Sequence, residues 1–274
     1  MTIRTKKTIE SYYTLREKLL TEKRLFFTRF GDGEIISMMG RDHRSYKFST
    51  ALQKELFECI SIDDPNFLIA LPVNYKKERK MTVGVFSPYD FNDTMVDFLE
   101  KQKLVKEGHR YENIVVFHYL AVFKPKFIYT FFEEFIRPKR KMFIGSTPHQ
   151  IAEKLYDTIH YYFQVPAKNA YQVVDEIWPD ILKVIEDVEL VIPSAGAASN
   201  VISKRLWYTK YTVQLLDIGS IIDAVEGKIS RTWIRLQGHK INKILPKEYR
   251  ERNAGKLFYY FLKDIKYFFR RLIK

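Results

Sequence analysis

The sequence has almost no cysteine: Cys59 is the single cysteine among 274 residues. A disulfide within the chain is therefore excluded, and so is a metal site built on several cysteines. The opening residues 1–10 contain no apolar segment of the signal-peptide kind. The longest apolar run, 114–123, is interrupted by His118 and is too short to span a bilayer. These features predict a reducing, cytoplasmic setting.

Several common catalytic motifs are also missing. The sequence has no G-x-S-x-G nucleophile elbow, no G-x-x-x-x-G-K-[ST] phosphate loop and no complete G-x-G-x-x-G dinucleotide fingerprint. These absences argue against α/β-hydrolases, P-loop nucleotidases and ordinary dehydrogenases. The six histidines show no metal-binding spacing, so we expect them to be ordinary surface or partly buried residues.

Composition and charge predict one globular domain followed by a basic tail. Hydrophobic residues make up 46% of the chain, which is enough for a buried core, and no repeat or low-complexity tract divides it. The net charge is +13, and residues 228–274 contain fourteen Lys and Arg against three acids. We therefore predict a domain over residues 1–240 and a basic tail over residues 241–274, which implies an anionic partner.

Short apolar segments alternate with amphipathic helical patterns along the chain. The predicted strands are 25–30, 66–72, 113–119, 141–146, 161–166, 189–194 and 211–219. The clearest predicted helices are 50–60, 148–156 and 196–208. Strands separated by helices indicate an α/β, Rossmann-like fold with a mostly parallel sheet and helices on both faces.

Four loops that follow predicted strands are rich in small and polar residues. They are 31–34, 145–149, 194–199 and 217–220. Each alone is an ordinary strand-to-helix turn, because such residues form turns and cap helices. Ligands of open α/β sheets bind at the carboxyl ends of the strands, so the four loops together predict a binding site.

The first loop places Asp32 and Glu34 on either side of Gly33, after an apolar segment that contains Arg29. One interpretation is structural: Asp32 forms the turn and Glu34 is a charge at a helix N-terminus. The functional interpretation is that both carboxylates bind Mg²⁺ or Mn²⁺ together with phosphate oxygens, to which Arg29 also donates. The local pattern alone leaves both interpretations open.

Residues 28–35, TRFGDGEI, resemble the R-F-G-D-G-E signature, with its D-x-E metal motif, of glycosyltransferases of the GT-D fold. This family was first described as a domain of unknown function. Residues 165–177 and 190–223 resemble later parts of the family pattern in the same order, so the resemblance covers roughly residues 20–235. The loop 193–199 departs from the pattern, because it lacks the more usual Gly-Pro start.

The resemblance implies transfer of a sugar from a nucleotide diphosphate sugar, with UDP favoured, to a glycan acceptor. It also implies a divalent cation, Mn²⁺ or Mg²⁺, at Asp32 and Glu34. An inverting reaction needs a base for the acceptor proton; Asp217 and Asp175 are candidates, unless each is only a cap or an exposed charge. The residues predicted to bind the donor are Arg29, Gly31, Gly33, Gly145, Ser146, Thr147, Asn169, Ser194 and Gly196.

Residues 256–274 have a helical period with one apolar and one basic face. The apolar face gathers Leu257, Phe258, Phe261, Leu262, Ile265, Phe268, Phe269 and Leu272, and the basic face gathers Lys256, Lys263, Lys266, Arg270 and Lys274. This pattern is typical of a helix that lies in an anionic membrane interface. The alternative is a last helix docked on the sheet.

The sequence thus predicts a hexosyltransferase-like enzyme of cell-surface polysaccharide, lipid-linked oligosaccharide or glycoprotein biosynthesis. We expect it to be peripheral on the inner membrane face, with no nucleic-acid partner. A first alternative is a metal-dependent nuclease or phosphotransferase, favoured by the same acids and the basic tail. A second is a non-catalytic membrane-binding module in which the loop 31–34 is structural.

Overall fold

The protein is described by a computed structural model, which covers residues 4–72, 93–228, 234 and 240–272. Eight parallel strands form one sheet in these ranges, in the order β1-β4-β3-β2-β8-β7-β5-β6. The strands are β1 (Arg4–Thr5), β2 (Leu25–Arg29), β3 (Phe67–Leu71), β4 (Arg110–Asn113), β5 (Lys141–Gly145), β6 (Tyr161–Gln164), β7 (Leu190–Ser194) and β8 (Gln214–Leu216).

Helices cover both faces of this sheet. They are α1 (Thr8–Thr21), α2 (Asp32–Met38), α3 (Thr50–Ile60), α4 (Asp93–Lys101), α5 (Val116–Phe123), α6 (Pro125–Phe135), α7 (His149–Tyr156), α8 (Val174–Val184), α9 (Ala197–Thr209), α10 (Ile221–Glu226) and α11 (Ala254–Leu272). One apolar cluster contains side chains of α3 and α9, and a second contains side chains of α1, α6 and α7. The predicted α/β fold with a parallel sheet is confirmed.

The central strands are buried on both faces, which explains their unbroken apolar sequence. Leu25, Phe26 and Phe27 of β2 are all fully buried. Phe26 belongs to the first cluster, whereas Leu25 and Phe27 belong to the second, because successive side chains of a strand point to opposite faces. Burial of each such side chain contributes roughly 1.5–3 kcal/mol.

The strand predicted over residues 113–119 is wrong. β4 ends at Asn113, and the apolar residues that follow form α5. The Asn113 carboxamide oxygen accepts a hydrogen bond from Val115 N at 3.0 Å, which turns the chain out of the strand. Most of α5 is buried against α1 and α6, so its sequence lacks the polar face that distinguishes a helix from a strand.

The chain after residue 240 has two different parts. Ile241, Ile244 and Leu245 are buried in the second cluster, and Arg137 donates to Ile244 O at 2.8 Å. α11 follows, and none of its described side chains belongs to either cluster. The C-terminal amphipathic helix is confirmed, while the domain boundary between residues 240 and 241 stays a prediction. In the described ranges no helix combines the length and apolar character that a bilayer crossing requires.

Candidate active site

The four loops singled out in the sequence lie side by side at one edge of the sheet. They follow β2, β8, β7 and β5, and these strands are consecutive neighbours in the sheet order. Gly145 at the end of β5 is in register with Ser194 at the end of β7. Because all strands are parallel, their carboxyl ends meet at this edge, where ligands of open α/β sheets bind.

The turn 31–34 directs its two acids in different directions. α2 begins at Asp32, and Glu34 folds back so that its Oε2 accepts a hydrogen bond from Gly31 N at 2.8 Å. Glu34 Oε1 accepts from the Tyr46 hydroxyl at 3.0 Å. Burial raises the pKa of Glu34, and the nearby Asp32 adds to that effect. Glu34 therefore faces inward and braces the turn.

Asp32 faces outward from the same turn. Its side chain is 24% exposed, and its Oδ2 lies 3.9 Å from His43 Nε2. Between the two acids, a Cβ on Gly33 would lie 2.2 Å from the Tyr46 hydroxyl and 3.1 Å from the His43 ring. A larger residue at position 33 would have to displace the Tyr46 hydroxyl and press on the His43 ring. The turn thus presents one accessible carboxylate and one internal carboxylate.

A buried ion pair joins the ends of β2 and β8. Arg29 Nε lies 3.2 Å from Asp217 Oδ1, and their side chains are 15% and 9% exposed. Arg29 also donates to Ile114 O at 3.3 Å. Burial raises the pKa of Asp217, and Arg29 and the Gly219 N–H oppose that effect only in part. Asp217 is thus engaged with Arg29 at the middle of the edge.

Residues near the start of α9 make hydrogen bonds to the end of β2 and to the loop after β7. The Asn200 carboxamide donates to Thr28 Oγ1 at 3.1 Å and to Arg29 O at 2.9 Å. Ser199 Oγ accepts from Ala195 N at 2.9 Å and so fixes the loop that contains Ser194 and Gly196. These contacts bring the loop after β7 against the strand that carries Arg29.

The remaining predicted donor residues have structural partners of their own. Thr147 is buried; its hydroxyl donates to Glu226 at 3.2 Å, and its carbonyl accepts from the Tyr162 hydroxyl at 2.9 Å. Ser146 beside it is partly buried. Asn169 holds the loop before α3. Its backbone N–H donates to Ser45 O, and its side-chain Oδ1 accepts from Lys47 N. Asn169 is thus connected to the turn 31–34 through that loop.

The acids of this edge do not form a metal cage by themselves. No group of three or more His, Cys, Asp and Glu among the described residues has the arrangement of a metal site. Asp32 offers accessible oxygens, whereas both Glu34 oxygens already accept internal hydrogen bonds. This fits Mg²⁺ or Mn²⁺ only where substrate phosphates and waters supply most of the ligands, the usual arrangement for Mg²⁺.

Comparison with known proteins decides the family. Residues 27–242 match the glycosyltransferase GT-D fold family. The chain belongs to the GT-D family of glycosyltransferases. The predicted resemblance is confirmed, and the protein is a glycosyltransferase rather than a nuclease or a non-catalytic membrane module. A search of curated proteins found no match.

Two solved structures of known proteins are similar to this chain. A glycosyltransferase (DUF1792) from Streptococcus sanguinis is 19% identical, with a TM-score of 0.62 over 82% of this chain and 84% of that one. A domain of unknown function 1792 with a distinct glycosyltransferase fold is 19% identical, with a TM-score of 0.58 over 82% and 80%. At this identity the likeness is one of fold.

Three residues at this edge of the GT-D chain were not predicted from the sequence. His43 and Tyr46 meet the turn 31–34 and lie in no recognised motif, whereas Asn200 supports β2 and lies within the resembling segment 190–223. One signal was available: Asn200 sits near the start of a helix whose buried face carries Ser199 and Ser203. Polar residues on a buried helix face indicate partners inside the fold.

Gly219 allows a direct test of the Arg29–Asp217 pair. Gly219 has φ +73°, and a Cβ there would lie 2.1 Å from Arg29 Nη2. Gly219→Ala should strain the backbone and displace Arg29, leaving Asp217 buried without its partner. We expect the free energy of unfolding to fall by about 3 kcal/mol or more, measured by urea denaturation.

Gly227→Ala is the matched control for this change. Gly227 has φ +81° but no atom within 4 Å of the added Cβ. It should lose only about 1 kcal/mol, the backbone cost alone. Equal losses in the two variants would contradict a special role for Arg29 packing at Gly219.

Proposed function

We propose that the protein transfers a sugar from a nucleotide diphosphate sugar, with a UDP-sugar favoured, to a glycan acceptor with the help of Mn²⁺ or Mg²⁺. The observation that carries the proposal is the position of Asp32. Its carboxylate is accessible at the carboxyl edge of the sheet, on the turn that directly follows β2, in a chain of the GT-D family. Ligands of open α/β sheets bind at this edge.

The donor diphosphate would lie between Asp32, Arg29 and the start of α9. α9 begins at Ala197, directly after the loop that follows β7, and the first N–H groups of a helix have no partner one turn earlier in the helix. Such N–H groups bind phosphate well. Arg29 adds a planar donor suited to phosphate oxygens. Ser194 and Gly196, in the loop before α9, would border the same diphosphate.

A bound divalent cation would neutralise the negative charge that develops on the departing diphosphate. Asp32 would hold the cation from the protein side, and Glu34 would keep the turn in the required shape through Gly31 and Tyr46. Arg29 would stabilise the same developing charge without any proton transfer. These residues thus serve the leaving group.

Asp217 lies at the same edge of the sheet, and its proposed role follows from its ion pair with Arg29. To act as the base for the acceptor, the Asp217 carboxylate would have to leave Arg29, which lies 3.2 Å away. Breaking a buried ion pair is costly, since one charge is left without compensation. We therefore propose that Asp217 first serves to hold Arg29 at the diphosphate. Asp175, 82% exposed and paired with Arg205, is a surface charge.

We also propose that α11 binds an anionic membrane surface and brings the enzyme to a lipid-linked acceptor on the inner face. Phe258 and Phe269 are 60% and 57% exposed, and Leu262 is 47% exposed. Lys256 and Lys266 on the same helix are exposed as well. A helix with exposed aromatic and basic faces fits an interface with anionic lipids. The side chains of Phe268, Arg270 and Leu272, and residue Lys274, lie outside the described part.

Asp32→Ala tests the donor site. Wild type should bind UDP more tightly with Mn²⁺ than without it, and the variant should lose roughly tenfold or more of that affinity, since one metal-side carboxylate is gone. Isothermal titration calorimetry with UDP and with GDP measures this. Asp180→Ala, which removes an exposed acid paired with Lys183 on α8, is the control and should bind like wild type. No metal-dependent nucleotide binding by wild type would refute the proposal.

Leu262→Glu tests the membrane proposal. The change removes an exposed apolar side chain from α11 and adds a negative charge, so binding to phosphatidylglycerol-containing vesicles should weaken about tenfold or more in a cosedimentation assay. Leu20→Glu, at a leucine 71% exposed on α1, is the matched control and should not change it. The proposal is contradicted if wild type sediments equally with neutral phosphatidylcholine vesicles, or if both variants behave alike.

A further inference from the structure

The segment between α2 and α3 folds over the turn 31–34. We call residues 41–48 the strap. His43 and Tyr46 form an isolated antiparallel bridge in it: His43 N donates to Tyr46 O at 3.0 Å, and Tyr46 N donates to His43 O at 3.1 Å. Asp42 Oδ1 accepts from Phe48 N at 2.8 Å and closes the strap at its far end. The strap is therefore a compact hairpin with its own hydrogen bonds.

The two bridged residues of the strap meet the two acids of the turn, one each. Tyr46 is 8% exposed and donates its hydroxyl hydrogen to Glu34 at 3.0 Å. The His43 side chain is 9% exposed, and its Nε2 lies 3.9 Å from Asp32 Oδ2. The two rings pack together with their centroids 4.9 Å apart. Each ring therefore limits where the other can move.

The hydrogen bonds of the strap also determine which nitrogen of His43 carries the proton. Ser45 N donates to His43 Nδ1 at 3.3 Å, so Nδ1 is an acceptor. The neutral ring then carries its hydrogen on Nε2, the nitrogen that faces Asp32. A ring in this tautomer offers a donor to the Asp32 carboxylate and no lone pair to a metal on that side.

The strap is attached to the other half of the sheet by Asn169. Asn169 adopts a left-handed conformation with φ +57°. Its backbone N–H donates to Ser45 O at 2.9 Å, and its side-chain Oδ1 accepts from Lys47 N at 2.8 Å. These two bonds flank Tyr46. The Tyr46 ring also lies beside Gly196. The strap thus has fixed contacts with the segments after β2, β6 and β7.

We propose that His43 is a positioning residue of the donor site: its Nε2 hydrogen faces the Asp32 carboxylate, 3.9 Å away and one small shift from hydrogen-bond distance, and orients that carboxylate to receive the metal-bound diphosphate. This inference rests on the proposed function and deepens it. A carboxylate that ligates a metal is itself normally held by a hydrogen bond, because a fixed orientation reduces the ordering cost of binding. Tyr46 performs the matching task for Glu34 and keeps that acid internal.

The first test compares two replacements of His43 by calorimetric titration of UDP with Mn²⁺. His43→Asn places its amide too close to the backbone to reach Asp32, and affinity should fall about tenfold or more. In His43→Gln the amide nitrogen can occupy the place of Nε2, so much of the affinity should return. The same changes at His109, on the opposite edge before β4, are controls and should have no effect. Equal affinities of wild type and His43→Asn would overturn the proposal.

A double variant separates positioning from general loosening of the strap. If His43 acts through Asp32, adding His43→Asn to Asp32→Ala should cause no further loss of affinity for UDP with Mn²⁺. A further loss of the same size as in the wild-type background would mean that His43 acts on the nucleotide directly or on the fold, and would overturn the proposal.

A third measurement needs no nucleotide. Nitrogen NMR of the imidazole at alkaline pH should show the hydrogen of His43 on Nε2, with a signal that shifts in Asp32→Asn while the His109 signals do not move. A His43 signal that is unchanged in Asp32→Asn, or a hydrogen on Nδ1, would overturn the proposal. If wild type binds no nucleotide but this shift is present, the proposed donor fails while the His43–Asp32 contact stands.

Discussion

The ion pair between Arg29 and Asp217 is the interaction on which the candidate site depends. It joins the ends of β2 and β8, adjacent strands at the middle of the sheet, and both side chains are largely buried. A buried pair of charges is stable only when its geometry is good and further hydrogen bonds complete it. Ile114 O accepts such a bond from Arg29, and the Gly219 N–H lowers the pKa of Asp217 against the effect of burial. The pair therefore fixes the relative positions of the loops after β2, β4 and β8.

The fold was predictable because its strongest determinants are local. Alternating apolar segments and helical patterns indicate a parallel α/β sheet, and the loops with small residues fall at the carboxyl ends of its strands. The neighbour order of the strands was not predictable, because β2 lies next to β8 through contacts far apart in the chain. Residues 113–119, predicted as a strand, show where local sequence does not determine the secondary structure. A fully buried helix and a buried strand have the same apolar sequence.

The site was predictable in part. The spacing of Asp32, Gly33 and Glu34 is visible in the sequence, but their different environments depend on the strap, which no motif marks. The Tyr46 hydroxyl donates a hydrogen bond to the buried Glu34, and the His43 ring lies beside Asp32. Gly33 permits both contacts, because any Cβ there would meet the two rings. The D-x-E motif therefore identifies two acidic residues, but it does not show that both have the same role.

The pairing of β2 with β8 also bears on how the protein folds. Leu25 pairs with Gln214, so the centre of the sheet cannot close until almost the entire domain has been synthesised. Contacts between residues so distant in sequence form slowly, because a long loop must close first. Until then β2 has an open edge of apolar residues, the kind of surface that chaperones cover in nascent chains. The geometry that brings Arg29 to Asp217 therefore makes the active edge one of the last parts of the enzyme to form during folding.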